Sequence, residues 1–316
     1  YEILRCLVGS EMCIRDRVKG IIKEEQILCG ESLAKHTTFR IGGPADLFLQ
    51  PKNEDQISEL VRFCNEKEIP FYIMGNGSNI LAGDKGYEGI ILHIGKEMSS
   101  VQFEQQEDGT VLVTAGAGIM LTRLAREAAN HALTGLEFAG GIPGTLGGAV
   151  TMNAGAYGGE IKDCITWVKV ITREGKQMVL NKEELALGYR SSIIQKKEWI
   201  VTQAQFLLKE GNIEEIRQTM DELQKKRKEK QPLEYPSAGS TFKRPEGYFA
   251  GKLIEDAGLR GYRVGDIMVS DKHCGFVVNV GNGTAKEVHE LIQYVEQTVY
   301  DKFGVKLEPE VRFLGE

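Results

Sequence analysis

The sequence predicts an α+β or mixed α/β fold in two parts, and three observations predict it. Short apolar runs of strand type alternate with segments whose apolar residues recur every three or four positions. A strongly amphipathic segment opens at Asn212 and closes in the basic run KKRKEK (225–230) just before Pro232, which places a boundary near residue 212. Between them lies AGGIPGTLGGAVTMNAGAYGGE (139–160), with eight glycines in 22 residues, no Lys, Arg, His or Asp, and a single Glu at its end.

The elements follow in order. DLFLQP (46–51) reads as the end of a strand. Asn53 is an N-cap for a helix that sets Ile57, Leu60, Val61 and Cys64 on one face, and Pro70 stops it. FYIM (71–74) and GIILHI (89–94) are buried-type strands flanking a Gly/Asn turn. VLVTA (111–115) is a further strand, and Leu121, Leu124, Ala125 and Ala128 mark the next helix face. Residues 165–171 and 199–208 are strand-like and partly alternating. Asn212 caps a helix carrying Ile213, Ile216, Met220 and Leu223; a helix over 249–259 and strands over 266–269 and 275–280 come next. A long helix from Thr284 to Gly304 turns Val288, Leu291, Ile292, Val295 and Val299 inward, and LEPEVRFL closes the chain as a strand. Periodicity alone leaves the sheet order open.

Composition narrows the class. The 316 residues are 41% hydrophobic and 27% charged, as in globular proteins rather than disordered ones. No apolar run approaches the ~18–20 residues that a membrane span needs. A net charge of −6 argues against a general nucleic-acid binder. Six scattered cysteines form no CxxC and no zinc spacing with histidine, so they read as buried thiols of a reducing compartment, and no metal is expected. YEILRCLVGSEMCIRDR, at the start, lacks the order of a signal peptide and resembles translated sequencing-adapter sequence; residues 1–19 are expected to be a non-native, disordered extension.

Three short GxG elements occur, at Gly75, Gly116 and Gly281, but none extends to GxGxxG and no P-loop is present. GNGSN (75–79) follows the strand FYIM, where it reads either as a hairpin turn or as a nest of backbone N–H groups suited to a diphosphate. Glycine costs roughly 0.5–1 kcal/mol in regular structure relative to alanine. The stretch from Gly140 therefore implies close approach of backbone to something, either a flat cofactor or a tightly packed loop of the chain itself.

Taken together, TTFRIGGPADLF (37–48), GNGSN, GLEFAGGIPGTLGGAVTMNAGAYG (135–158), GYRSS (188–192), SAGSTFKRP (237–245) and EPEVRF (308–313) resemble the UDP-N-acetylenolpyruvoylglucosamine reductase (MurB) family, in its shorter, type II form. The motifs span residues 37–313 in family order. The resemblance implies a two-lobed FAD-binding unit of the vanillyl-alcohol-oxidase-like (PCMH) kind over residues 20–212 and a smaller α+β substrate-binding domain over 213–316, whose last strand returns to the active site. It implies reduction of the enolpyruvyl group of a UDP-sugar at the expense of NADPH through FAD, in peptidoglycan and cell-wall synthesis. A cytoplasmic monomer with neither a nucleic-acid partner nor membrane insertion is expected. No histidine or cysteine lies in GNGSN or in 140–159, so FAD is expected to be held without a covalent bond.

The same resemblance assigns residues. Hydride must reach C3 of the enolpyruvyl ether and a proton C2, which calls for a fixed cation on the carboxylate and a positioned acid. Arg190 matches the catalytic arginine, Ser240 the proton donor and Glu310 the third catalytic residue; position alone also reads them as a surface arginine, a turn serine and an outward strand residue. Cofactor contacts are implied at Gly75, Asn76, Gly77, Ser78, Asn79, Gly140, Ile142, Pro143, Gly144, Thr145, Gly147, Gly148, Asn153, Ala154 and Gly155. Arg227, within KKRKEK, and Arg312 are expected near the flavin. Tyr189, Lys230, Lys243, Arg244 and Arg260 are candidates for the substrate. The rival readings are another PCMH-type flavin oxidoreductase and a non-catalytic UDP-sugar-binding protein.

Overall fold

The computed structural model describes residues 14–316. Cys6, Cys13 and the rest of the first 13 residues of the expected extension lie outside the described residues. The extension does not reach residue 19: Ile14–Val18 is helical, and Val18 has no exposed surface and joins the first unit's core with Ile22. Arg15 and Lys19 both pair with Glu24, holding this turn against the next.

The chain divides into two units that interleave in sequence. The first comprises the residues up to Cys29 together with Leu47–Asn76 and Gly89–Lys225; the second comprises Gly30–Asp46, Gly77–Glu88 and Lys226–Glu316. This differs from the split at 212 read from the sequence. The segments around Arg40 and Asp84 belong with the C-terminal part, and the long helix Ile213–Lys230 crosses the division rather than following it.

In the first unit, a four-stranded sheet has the order Ile27–Ser32, Pro44–Leu49, Tyr87–His93, Phe71–Met74. Its first three strands continue into segments of the second unit. Phe71–Met74 pairs parallel with residues 90–93. The helix Glu54–Glu66 forms as expected, with Asn53 Oδ1 accepting the Gln56 N–H and Ile57, Leu60, Val61 and Cys64 buried. A six-stranded antiparallel sheet has the order Gln177–Asn181, Ile165–Ile171, Ile200–Glu210, Thr110–Gly116, Val101–Gln105, with Leu133–Thr134 also on Ile200–Glu210. Lys169 Nζ and Thr202 Oγ1 both donate to the Glu54 carboxylate, which ties the first turn of the Glu54–Glu66 helix to this sheet.

In the second unit, the sheet runs Ser237–Ser240, Phe276–Asn279, Ile267–Val269, Arg263–Val264. Over it lies the helix Ala285–Phe303, with Thr284 in a reciprocal capping box with Glu287 and Gly304 in the left-handed conformation at its end. Its apolar stripe, from Val288 to Val299, is buried as the spacing predicted. The Asp84 carboxylate accepts the N–H groups of Ala285 and Lys286 at 2.8 and 3.0 Å, a favourable place for a negative charge. The terminal strand is short, Arg312–Leu314, and pairs parallel with Ile80–Ala82.

Truncating Val18 to alanine removes two fully buried methyl groups. It is expected to lower unfolding free energy by about 1–3 kcal/mol in a urea titration. An unchanged midpoint would return residues 14–19 to the status of a dispensable extension.

Candidate functional site

The strand Phe71–Met74 delivers the chain into GNGSN. Because its partner strand runs parallel to it, the loop is a crossover and not a hairpin turn. A Cβ added to Gly75 would lie 2.2 Å from Thr145 Oγ1, and Asn76 Nδ2 donates to the Pro143 carbonyl at 2.6 Å. The first glycine loop is thus seated on the second. The second is itself stapled to residues 117–121: Leu121 N–H bonds the Gly144 carbonyl, while the N–H groups of Leu146 and Gly147 bond the carbonyls of Ile119 and Ala117.

These glycines also meet a packing need within the chain. A Cβ on Gly140 would meet Met220 at 2.9 Å, one on Gly147 Ala117 at 3.1 Å, and one on Gly155 both Glu160 and Gly159 at 2.8 Å. At these positions, as at Gly75, the close approach is of the chain to itself. Gly148 differs. It is exposed, its nearest neighbour would be 3.9 Å away, and it leaves bare backbone at the surface. Asn153 is 1% exposed, and its side chain bonds Glu160, the Gly188 carbonyl and the Lys162 N–H. Gly77 belongs to the second unit, at φ +59°, where a Cβ would strike the His36 carbonyl. Ser78 is half-buried. Asn79 donates its side-chain N–H to the Glu310 carbonyl at 3.0 Å, and its own carbonyl accepts the Arg312 N–H.

Arg190 stands in a tight turn of the first unit. Gly188 and Ser191 exchange both backbone hydrogen bonds, at 3.0 and 3.3 Å, and Arg190 adopts φ +49°, a left-handed conformation that few non-glycine residues occupy. Its guanidinium is half-buried, donates to the Gly155 carbonyl at 3.3 Å and lies 5.3 Å from the centre of the Tyr189 ring. Tyr189 is 58% exposed. Ser192 then caps the helix Ile193–Lys197 and donates to the Thr151 carbonyl at 2.7 Å.

In the second unit Ser240 ends the strand Ser237–Ser240, is exposed and faces Phe276 across the sheet. Glu310 is half-buried; its backbone N–H bonds the Thr241 carbonyl, so residues 240 and 310 are brought side by side through residue 241. Phe242 pairs with Pro309 in the same contact. Arg312 is exposed on the terminal strand. Three substrate candidates are engaged in the protein. Lys243 pairs with Glu308 at 3.1 Å. Arg244 donates to the Tyr248 carbonyl and lies 4.1 Å from the Phe249 ring centre. Arg260 pairs with Glu255 at 2.5 Å and also donates to the Asp271 carbonyl. Lys230 is exposed and Arg227 half-buried in the last turn of the Ile213–Lys230 helix.

Sequence reasoning missed Glu160, Thr151 and Ser192 as supports of this turn; an acidic residue closing an otherwise uncharged stretch was the one signal available. The cysteines differ from one another. Cys64 and Cys274 are buried but Cys29 is exposed, contrary to expectation, and burial pushes the Cys64 and Cys164 thiols up to about 12, leaving them unreactive at neutral pH. A cavity of about 620 Å³ in the second unit, bordered by Arg40, Asp84, Tyr235 and Asn279, contains none of the anticipated residues. Among the described residues no group of three His, Cys, Asp or Glu is placed to hold a metal, and no helix is long and apolar enough to cross a membrane.

Residues 45–181 match the profile of an FAD binding domain. Together with the paired, uncharged glycine loops inside that range, this defines the class: an α+β flavin-dependent oxidoreductase. Residues 231–314 match the C-terminal domain of UDP-N-acetylenolpyruvoylglucosamine reductase. A reductase of that name from Lachnoclostridium phytofermentans is 56% identical over 303 residues, covering 96% of this chain and 97% of its own length. One from Agathobacter rectalis is 53% identical, covering 92% and 94%. The crystal structure of the Thermus caldophilus reductase superposes with a TM-score of 0.76 at 36% identity, over 91% of this chain and 98% of that one. The chain belongs to the UDP-N-acetylenolpyruvoylglucosamine reductase family.

The seating of one glycine loop on the other is testable. Gly75→Ala is expected to cost about 1–3 kcal/mol of stability through the clash with Thr145. Adding Thr145→Ala should recover part of that loss, whereas two simply additive losses in urea unfolding would contradict the contact.

Proposed function

We propose that this chain reduces UDP-N-acetylglucosamine-enolpyruvate to UDP-N-acetylmuramate, with NADPH as the source of hydride, in the synthesis of peptidoglycan precursors. The observation that carries this reading is the likeness, over nearly the full length of both chains, to reductases named for that reaction, with Arg, Ser and Glu standing at 190, 240 and 310.

The first unit fits a flavin held by main-chain groups. Its paired loops at Gly75–Asn76 and 143–148 carry no charged side chain, and bare backbone is exposed at Gly148. FAD bound there without a covalent bond supplies the hydride chemistry. The protein supplies charge and a proton. As hydride adds to C3, negative charge grows on the substrate carboxylate, and the Arg190 guanidinium, which never loses its own charge, stabilises it by two-point pairing. Ser240 Oγ–H then protonates C2. A serine is a weak acid, but the carbanionic carbon is strongly basic, so position matters more than acidity. Together hydride and proton saturate the double bond. Glu310, held beside Ser240 by the bonds to Thr241, orients the proton donor. A second carboxylate next to that of the substrate would be repelled unless a proton or the arginine lay between them. Tyr189 and Lys230 are assigned to the UDP-sugar, and Arg227 and Arg312 to the flavin. Arg260, Lys243 and Arg244 would first have to leave their present partners. We further assign the protein to the cytoplasm, as a monomer.

The test is NADPH oxidation by the FAD-loaded protein with and without UDP-N-acetylglucosamine-enolpyruvate. Turnover should require the sugar nucleotide; oxidation indifferent to it would overturn the assignment. Ser240→Ala should leave flavin reduction by NADPH intact while slowing reoxidation by substrate about 100-fold or more. Equal impairment of the two steps would remove Ser240 from the donor role.

A further inference from the structure

Arg190 does not hold its own conformation. A left-handed conformation is disfavoured in a residue other than glycine, and the two backbone bonds within the 188–191 turn are shared with an exposed loop that carries Tyr189. What fixes the turn lies 35 residues upstream. Asn153 Nδ2 donates to the Gly188 carbonyl at 3.1 Å, so that this carbonyl receives both the Ser191 N–H and the asparagine amide. The same nitrogen donates to Glu160 Oε2 at 2.5 Å, and Asn153 Oδ1 accepts the Lys162 N–H at 2.9 Å. Asn153 is 1% exposed and itself left-handed, at φ +43°. Its amide is saturated by protein groups, which leaves it no donor for a ligand.

Two flanking contacts point the same way. Gly155, whose carbonyl receives the Arg190 guanidinium, is paired with Glu160 in a short ribbon that admits no Cβ at 155. Thr151 receives the Ser192 hydroxyl. Residues 188, 190 and 192 are therefore held from 153, 155 and 151. Three hydrogen bonds from one strip thus converge on the turn that holds Arg190 in this conformation. Lys162, whose ammonium pairs with Glu160 Oε1 at 2.6 Å, holds that carboxylate beside the asparagine.

We propose that Asn153 is a positioning residue for Arg190: through the Gly188 carbonyl it sets the direction in which the guanidinium meets the substrate carboxylate. The inference rests on the reading of Arg190 given above. It assigns Asn153 to substrate reduction and not to cofactor binding, and the two assignments predict different kinetics.

The experiment uses the FAD-loaded enzyme and follows its two half-reactions separately by flavin absorbance. Asn153→Gly accommodates the positive φ while removing the amide. It should slow reoxidation by UDP-N-acetylglucosamine-enolpyruvate about ten- to a hundredfold, leave reduction by NADPH within about twofold, and retain bound flavin on gel filtration. Asn153→Asp, which keeps the acceptor for Lys162 but sets a carboxylate against the Gly188 carbonyl, should give the same selective loss if the glycine variant fails to fold. In an Arg190→Ala background, Asn153→Gly should add nothing further to the loss. Parallel loss in both half-reactions, loss of flavin, no loss in either, or an undiminished effect in the Arg190→Ala background would each overturn the proposal. If Arg190→Ala alone left reoxidation unchanged, the fault would lie in the reading of Arg190 and not only in that of Asn153.

Discussion

A left-handed arginine clamped to a glycine-rich strip is the constraint on which the chemistry proposed for Arg190 depends. Asn153, Gly155 and Thr151 support Arg190 at φ +49° through hydrogen bonds along its turn. The strip can do so only because it is itself immobilised. Residues 144–147 are bonded to 117–121, and the ribbon at Gly155 closes against Glu160. Rigidity is handed from the six-stranded sheet to residues 117–121, from there to the strip, and from the strip to the guanidinium. On the role proposed for Arg190 such support matters, since a cation stabilises a transition state best when it is fixed where the charge develops.

The uncharged strip has two duties that its composition alone could not separate. Close approach of backbone explains the glycines, but at 75, 140, 147 and 155 the partner is another part of the chain. Around Gly148 and Gly158 the strip exposes bare backbone.

Much of the local structure was legible in the sequence. The Asn53 cap and the Thr284–Gly304 limits predicted two helices whose termini match to within a residue at the capped ends, because caps and apolar spacing are local chemistry. The partnership of GNGSN with the stretch after Gly140 was legible from composition, since both needed something at close range. What the sequence concealed was non-local. Nothing in FYIM says that its neighbour in the sheet runs parallel, so a hairpin remained open as a reading until the pairing was seen. The exchange of segments between units is hidden because each strand that carries it is continuous across the division. The bond from Asn153 to the Gly188 carbonyl was hidden in the same way, since the two residues meet only in the fold. Lys243 and Arg260 looked available for an anion because the partner of each, Glu308 or Glu255, was not marked as such by spacing.

The account is tested most directly by a crystal structure of the FAD-loaded protein with UDP-N-acetylglucosamine-enolpyruvate bound. It predicts both guanidinium N–H edges of Arg190 within hydrogen-bond distance of the enolpyruvyl carboxylate, with φ of residue 190 still positive and Asn153 Nδ2 still on the Gly188 carbonyl. An Arg190 turned away from that carboxylate, or a turn relaxed to negative φ with the Asn153 bond broken, would contradict it.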